Sequence, residues 1–196
     1  MNHFVYLASQ SPRRRQLLEQ IGVRYELLLA SPDEDAEALE VALPGEAPLA
    51  YVKRVTQLKL EAAMLRVKTR GLPKAPVLCA DTTVALGREI LGKPESPQDA
   101  MRMLKKLSGN THRVLTAVAI GHGRRSVSSV SMSTVTFANM TPAQLKAYVA
   151  SGEPMGKAGA YGIQGLAAAH ISAIKGSYTG IMGLPLFETA ALLQQI

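Results

Sequence analysis

Two long β-branched runs, Val114 to Ile120 and Val127 to Phe137, flank the short polar stretch His122-Gly123-Arg124-Arg125, and they restrict the fold more than any other feature. Runs of this kind across a turn are expected to pair as an antiparallel ribbon. A ribbon cannot bury its apolar face alone, so further strands and covering helices must come from the rest of the chain. Phe4 to Ala8, Tyr25 to Leu29, Val77 to Ala80 and about Ala169 to Ile174 read as strands, and Thr83 to Leu86 with Ile90-Leu91 as a hairpin through Gly87-Arg88-Glu89. One helix follows Ser11, carries Leu17, Leu18 and Ile21 on its apolar side and stops at Gly22. A second runs from near Pro48 to about Val67 with Leu49, Val52, Val55, Leu58 and Ala62 toward the core. Others open at Ser96-Pro97, where Ser is the N-cap and Pro the first helical residue, at Thr141-Pro142, and at Pro185. Strands alternating with helices predict the α/β or α+β class, with a mixed twisted sheet flanked by helices. No linker is long enough to separate independent units, so residues 1–196 are expected to form a single domain.

Composition narrows the function. Apolar residues make up 47% and charged residues 19%, which excludes an intrinsically disordered chain. No apolar run approaches the roughly 18 residues of a membrane span, and Met-Asn-His-Phe-Val-Tyr lacks the features of a secretory leader, so a cytoplasmic location is expected. Cys79 is the only cysteine, which excludes an intrachain disulfide and a cysteine zinc cluster; in its apolar strand it reads as a buried, inert thiol. With 22 Lys and Arg against 15 Asp and Glu the net charge is +7, but the basic residues are scattered, and with no Trp and three Phe there is little surface for stacking bases. A phosphate-bearing small molecule suits this balance better than a polynucleotide.

Three clusters carry chemistry. In Ser9-Gln10-Ser11-Pro12-Arg13-Arg14 two arginines fall in the first turn of a helix, where the helix dipole disfavours cations. A phosphate chain would offset them while accepting the free N–H groups of that turn; an ordinary capped helix with exposed arginines is the alternative. Asp81-Thr82-Thr83 at the end of an apolar strand can hold a divalent ion or take a proton from water, or act as a turn former, and Asp33-Glu34 could add a carboxylate. Lys59 and Lys93 could each reach phosphate oxygens. In Lys157-Ala158-Gly159-Ala160-Tyr161-Gly162-Ile163-Gln164-Gly165, the glycines permit close backbone approach and the Gln amide suits a base edge; a tight structural turn is the other reading.

Taken in order along nearly the whole chain, these segments, with Ile90-Leu91-Gly92-Lys93-Pro94, Leu107-Ser108-Gly109-Asn110-Thr111-His112, Gly176-Ser177-Tyr178 and Gly183-Leu184-Pro185-Leu186, resemble the Maf family of nucleoside triphosphate pyrophosphatases. The resemblance implies a sheet-and-cleft fold of the Maf and ITP-pyrophosphatase kind, with two lobes around a central nucleotide cleft. It implies cleavage between the α and β phosphates to a nucleoside monophosphate and pyrophosphate, with Mg²⁺ or Mn²⁺. It makes Asp81 the general base and metal-associated carboxylate, Glu34 the second acidic contributor, and Ser9, Arg14, Lys59 and Lys93 triphosphate contacts. Arg13, Thr82 and Gln164 match the positions that separate substrate subgroups, and this combination resembles the subgroup acting on dTTP and UTP, including modified pyrimidine nucleotides. Met155-Gly156-Lys157 departs from the pattern, with Gly where the family commonly shows Asp. A homodimer and a link to arrest of septum formation are also implied. The alternatives are a nucleotide- or nucleic-acid-binding regulator of cell division with little turnover, and a pyrophosphatase for noncanonical purine triphosphates.

Overall fold

The computed structural model describes residues 4–32, 34, 35 and 38–196; Asp33, Ala36 and Glu37 of the acidic stretch lie outside the described residues, as do the first three. The strands are β1 (Phe4–Leu7), β2 (Arg24–Leu27), β3 (Val77–Leu86), β4 (Glu89–Leu91), β5 (Thr111–His122), β6 (Arg125–Phe137) and β7 (Ile171–Lys175). The α-helices are α1 (Pro12–Gln20), α2 (Pro48–Thr69), α3 (Pro97–Leu107), α4 (Pro142–Ala150), α5 (Tyr178–Met182) and α6 (Leu186–Leu193). All seven strands join one mixed sheet in the order β2-β1-β3-β5-β6-β7, with β4 also on β3. The expected ribbon is β5 with β6, paired from Thr111↔Thr136 to His122↔Arg125.

Strand β3 organises the site. Along one edge it pairs with β5 without a break from Val77↔Gly121 to Ala85↔Arg113. Along the other, parallel β1 covers only Val77 and Leu78, and antiparallel β4 covers only Val84 to Leu86. Residues 79–83 therefore have no strand partner on that edge among the described residues, and the sheet is split there. Asp81, expected at a strand end, stands in the middle of a ten-residue strand. What ends beside Asp81 is the neighbouring strand, because β1 turns away into α1 after Leu7. The carboxyl end of a parallel strand beside a gap is where open α/β sheets form a crevice.

Alternation along β3 sends successive side chains to opposite faces. Val77 and Cys79 pack with Leu60 and Ala63 of α2, and Ala85 with Val52. Leu78, Ala80 and Val84 join Leu17, Leu18, Leu104 and Leu107 in the larger core on the other face. Leu60 and Leu104 are fully buried, each worth roughly 1.5–3 kcal/mol of burial. Asp81 thus shares the α2 face, and Thr82 the face carrying α1 and α5.

Three local expectations change. Leu49 is 39% exposed, whereas the buried positions of α2 include Thr56 and Arg66. Both polar residues have partners: Thr56 Oγ1 donates to Val52 O at 2.7 Å, and Arg66 pairs with Glu34. Ser11 occupies the N-cap of α1 but makes no side-chain capping bond; instead its N–H donates to Ser9 Oγ at 3.2 Å. Helix α5, five residues around Gly180, was not read from the sequence. By contrast, Ser96 caps α3 through Asp99 N, and Thr141 forms a capping box with Gln144.

Candidate active site

The split in the sheet opens into a cavity of about 470 Å³, within the range of small-molecule sites. Its lining combines the Ser9–Arg14 segment, Ala80 to Val84 of β3, Glu40, Tyr51, Lys59 and Arg66 from the α2 side, Ile90 to Lys93, and Gly156 to Ala158 with Tyr161 and Ile163. Of the residues singled out from the sequence, Ser9, Arg13, Arg14, Lys59, Asp81, Thr82 and Lys93 meet here.

Helix α1 aims its first turn at the gap because it starts where β1 ends, and Pro12 fixes the entry conformation. No acidic residue lies in that turn. Both arginines are held by the backbone at the C-terminal end of α5: Arg13 Nε donates to Met182 O at 3.1 Å, and Arg14 Nε to Gly183 O at 2.8 Å. Arg14 also donates to Ser9 Oγ at 3.0 Å and approaches Thr82 Oγ1 at 3.5 Å. Burial lowers the Arg14 pKa, Asp81 opposes that effect, and Arg13 adds to it; burial likewise lowers that of Arg13. Two adjacent, desolvated guanidinium groups with spare N–H donors form an anion-binding arrangement.

Asp81 is 8% exposed. Lys59 Nζ donates to its Oδ1 at 2.6 Å and to Glu40 Oε1 at 2.7 Å, while Lys93 Nζ donates to Glu40 Oε2 at 2.9 Å. The second Asp81 oxygen has no hydrogen-bond partner among the described residues and is not sealed from the cavity. A hard carboxylate oxygen so placed suits Mg²⁺ or Mn²⁺, which complete their shells with water and phosphate oxygens. No group of three or more His, Cys, Asp or Glu residues that could hold a metal occurs among the described residues.

Glu34 is engaged elsewhere. Arg66 Nε pairs with it at 2.5 Å, Arg70 at 3.4 Å, and Ser31 donates from both N–H and hydroxyl. Burial acts to raise the Glu34 pKa, but the bonds from Ser31 and Arg66 outweigh it and the net shift is downward. The carboxylate that shares a lysine with Asp81 is Glu40, in the turn Ala38–Glu40. No sequence signal marked Glu40, since its place depends on α2 and the β4–α3 loop bringing Lys59 and Lys93 together.

Thr82 stands opposite Thr116 in the β3–β5 register. The buried Thr116 hydroxyl lies 3.0 Å from that of Thr82 and 2.7 Å from Gly180 O, tying Thr82 to the same α5 segment that holds the arginines. Gln164 is exposed and outside the cavity lining, next to Ile163, which belongs to it.

The glycine-rich segment is folded around Glu153, which accepts from Tyr148 Oη at 2.8 Å and Leu166 N at 2.8 Å. Gly159, at φ +68°, lies so close to β3 that a Cβ there would stand 2.8 Å from Val84 Cγ1, and its N–H donates to Gly92 O at 3.0 Å. This seats Tyr161 beside the cavity, hydrogen-bonded to buried His112 at 2.7 Å and edge-on to Phe137. Burial pushes His112 down to about 4 and the Tyr161 hydroxyl upward. Cys79, fully buried, is pushed up to about 12, in keeping with an inert thiol.

The sequence profile described as Maf-like protein matches residues 4–196. The chain belongs to the Maf family. Among Maf relatives, the dTTP/UTP pyrophosphatase of Albidiferax ferrireducens is 67% identical over 194 residues, covering 99% of this chain and 97% of the relative. The protein of the same name from a Polaromonas species is 68% identical over 191 residues, covering 97% and 95%. That from Cupriavidus pinatubonensis is 64% identical over 195 residues, covering 100% and 98%. Among solved structures, the Staphylococcus aureus Ham1 protein aligns with a TM-score of 0.43 and 17% identity over 69% of the Maf chain and 72% of its own.

Proposed function

We propose that this Maf chain hydrolyses dTTP and UTP between the α and β phosphates, releasing the nucleoside monophosphate and pyrophosphate. The observation that carries the reading is the meeting of Asp81, Lys59 and Arg14 at the split in the sheet, in one cavity with a helix N-terminus free of acidic residues. Relatives at 64–68% identity named dTTP/UTP pyrophosphatase supply the reaction and the substrate class.

The triphosphate lies across the first turn of α1, its oxygens taking the Ser9 hydroxyl, the backbone N–H groups and the Arg14 guanidinium, with Lys59 and Lys93 on the far side. Lys59 fixes the orientation of Asp81 through Oδ1, so the other oxygen meets the attacking water and accepts its proton as the bond to phosphorus forms. The free oxygen of Asp81 would hold a divalent ion, which would supply neutralisation of the charge developing on the phosphates. Glu34, paired with Arg66 and Arg70, would be the second acidic contributor only on leaving them. The base is read on the α5 side, by Arg13 and Thr82, with Gln164 closing from the rim; a neutral amide there suits an uncharged pyrimidine edge. A cytoplasmic homodimer completes the reading, and no helix among the described residues is long and apolar enough to cross a membrane.

The test is pyrophosphate release from dTTP, UTP, CTP, ITP, GTP and 7-methyl-GTP, with Mg²⁺, Mn²⁺ or chelator. Metal-dependent turnover centred on dTTP and UTP is expected. Turnover centred on a purine would overturn the assignment of Arg13, Thr82 and Gln164.

A further inference from the structure

Lys59 and Lys93, both read above as phosphate contacts, are bridged by one carboxylate. Glu40 places Oε1 2.7 Å from Lys59 Nζ and Oε2 2.9 Å from Lys93 Nζ. Two oxygens of one anion spanning two ammonium groups is the arrangement a phosphate of the substrate would adopt. We infer that Glu40 is a resident anion of the phosphate subsite, which a polyphosphate must displace to bind and which returns to the lysines as pyrophosphate leaves. The inference rests on the reading of Lys59 and Lys93 as triphosphate contacts.

Four further observations support exchange over a fixed structural pair. Lys93 is 53% exposed and Glu40 28% exposed, so the bridge breaks into the cleft and solvent without unpacking the core. The turn carrying Glu40 is held separately, by the Tyr51 hydroxyl donating to Glu40 O at 2.8 Å, so the side chain can rotate away while its backbone stays. Burial alone would raise the carboxyl's pKa, yet the Lys59 charge and the bonds from both lysines hold it below its ordinary value, so it competes as an anion at neutral pH. Lys59 retains Asp81 when Glu40 leaves, which keeps the base oriented as one anion replaces the other.

Removing this competitor frees the lysines for ligand. Glu40→Gln should tighten tripolyphosphate binding by about tenfold, the size of one modest charge interaction, measured by calorimetry in chelator so that no metal contributes. Pyrophosphate should likewise become a better product inhibitor of UTP hydrolysis, with KM falling by a similar factor. Glu40→Ala should shift both in the same direction, and Glu61→Gln, an equal change of net charge outside the cleft, should shift neither. Glu40 variants that unfold at the wild-type temperature but bind tripolyphosphate no more tightly would overturn the inference. Lys93→Gln separates it from the site reading. If that variant weakens tripolyphosphate binding while Glu40→Gln has no effect, only the resident-anion inference fails. If Lys93→Gln leaves tripolyphosphate binding unchanged, the phosphate assignment fails and takes the inference with it.

Discussion

Lys59 Nζ lies 2.6 Å from Asp81 Oδ1, joining the helix on one face of the sheet to the strand at its split. The contact turns a gap in strand pairing into a site with a defined geometry, because it fixes one carboxylate oxygen and leaves the other for water or a cation. Asp81→Asn keeps the shape and removes the charge and the proton acceptor. Turnover should fall by at least about 100-fold, the usual weight of a general base, while the melting temperature moves by no more than a few degrees. Unchanged pyrophosphate release would remove Asp81 from the chemistry.

Thr116 supports the Thr82 side of the cleft without lining it. Thr116→Val keeps the volume but leaves Gly180 O and Thr82 without their shared hydroxyl, at a cost of about 1–3 kcal/mol in urea unfolding. The ratio of kcat/KM for UTP over CTP should fall, because Thr82 loses its fixed orientation, and Thr116→Ser should restore it. A ratio unmoved by Val would limit Thr116 to stability.

Much of the fold is legible in the sequence. The long runs in β5 and β6 read as a ribbon because β-branched residues filled them, and Ser96 and Thr141 announced their helices through side-chain capping. Less legible was anything decided by distant partners. Hydropathy put Leu49 in the core and could not see that Arg66 would be buried against Glu34. Asp81 looked like a strand end because the pairing that continues β3 comes from residues 113–121, far along the chain. Nothing in the sequence marks Glu40 beside the denser acidic run before it, and Ser9, rather than Ser11, receives the hydrogen bonds at the start of α1.

Gln164 stands exposed beside the cavity, so its effect should be confined to recognition. Gln164→Glu is expected to change unfolding free energy by less than about 0.5 kcal/mol and to lower the preference for UTP over GTP. Equal UTP-to-GTP ratios in wild type and variant would show that the rim residue does not read the base.

His112 gives the fold a pH dependence of its own. Its pKa is about 4 in the folded chain against 6.5 for the free side chain, because it is buried. Between those values the unfolded chain binds a proton that the folded chain excludes, so the His112 contribution is complete above pH 6.5 and declines as pH falls toward 4. The loss should be on the order of 3 kcal/mol, read from urea unfolding across that window. His112→Gln should flatten this part of the profile. An unchanged slope in the variant would assign it to other groups.

The position of the bond that breaks decides which products appear. Phosphorus NMR of UTP consumed by the purified protein with Mg²⁺ reports it directly. UMP and pyrophosphate in equal amounts, with no UDP, are expected; UDP with orthophosphate, or intact UTP in the presence of folded protein, would contradict cleavage between the α and β phosphates.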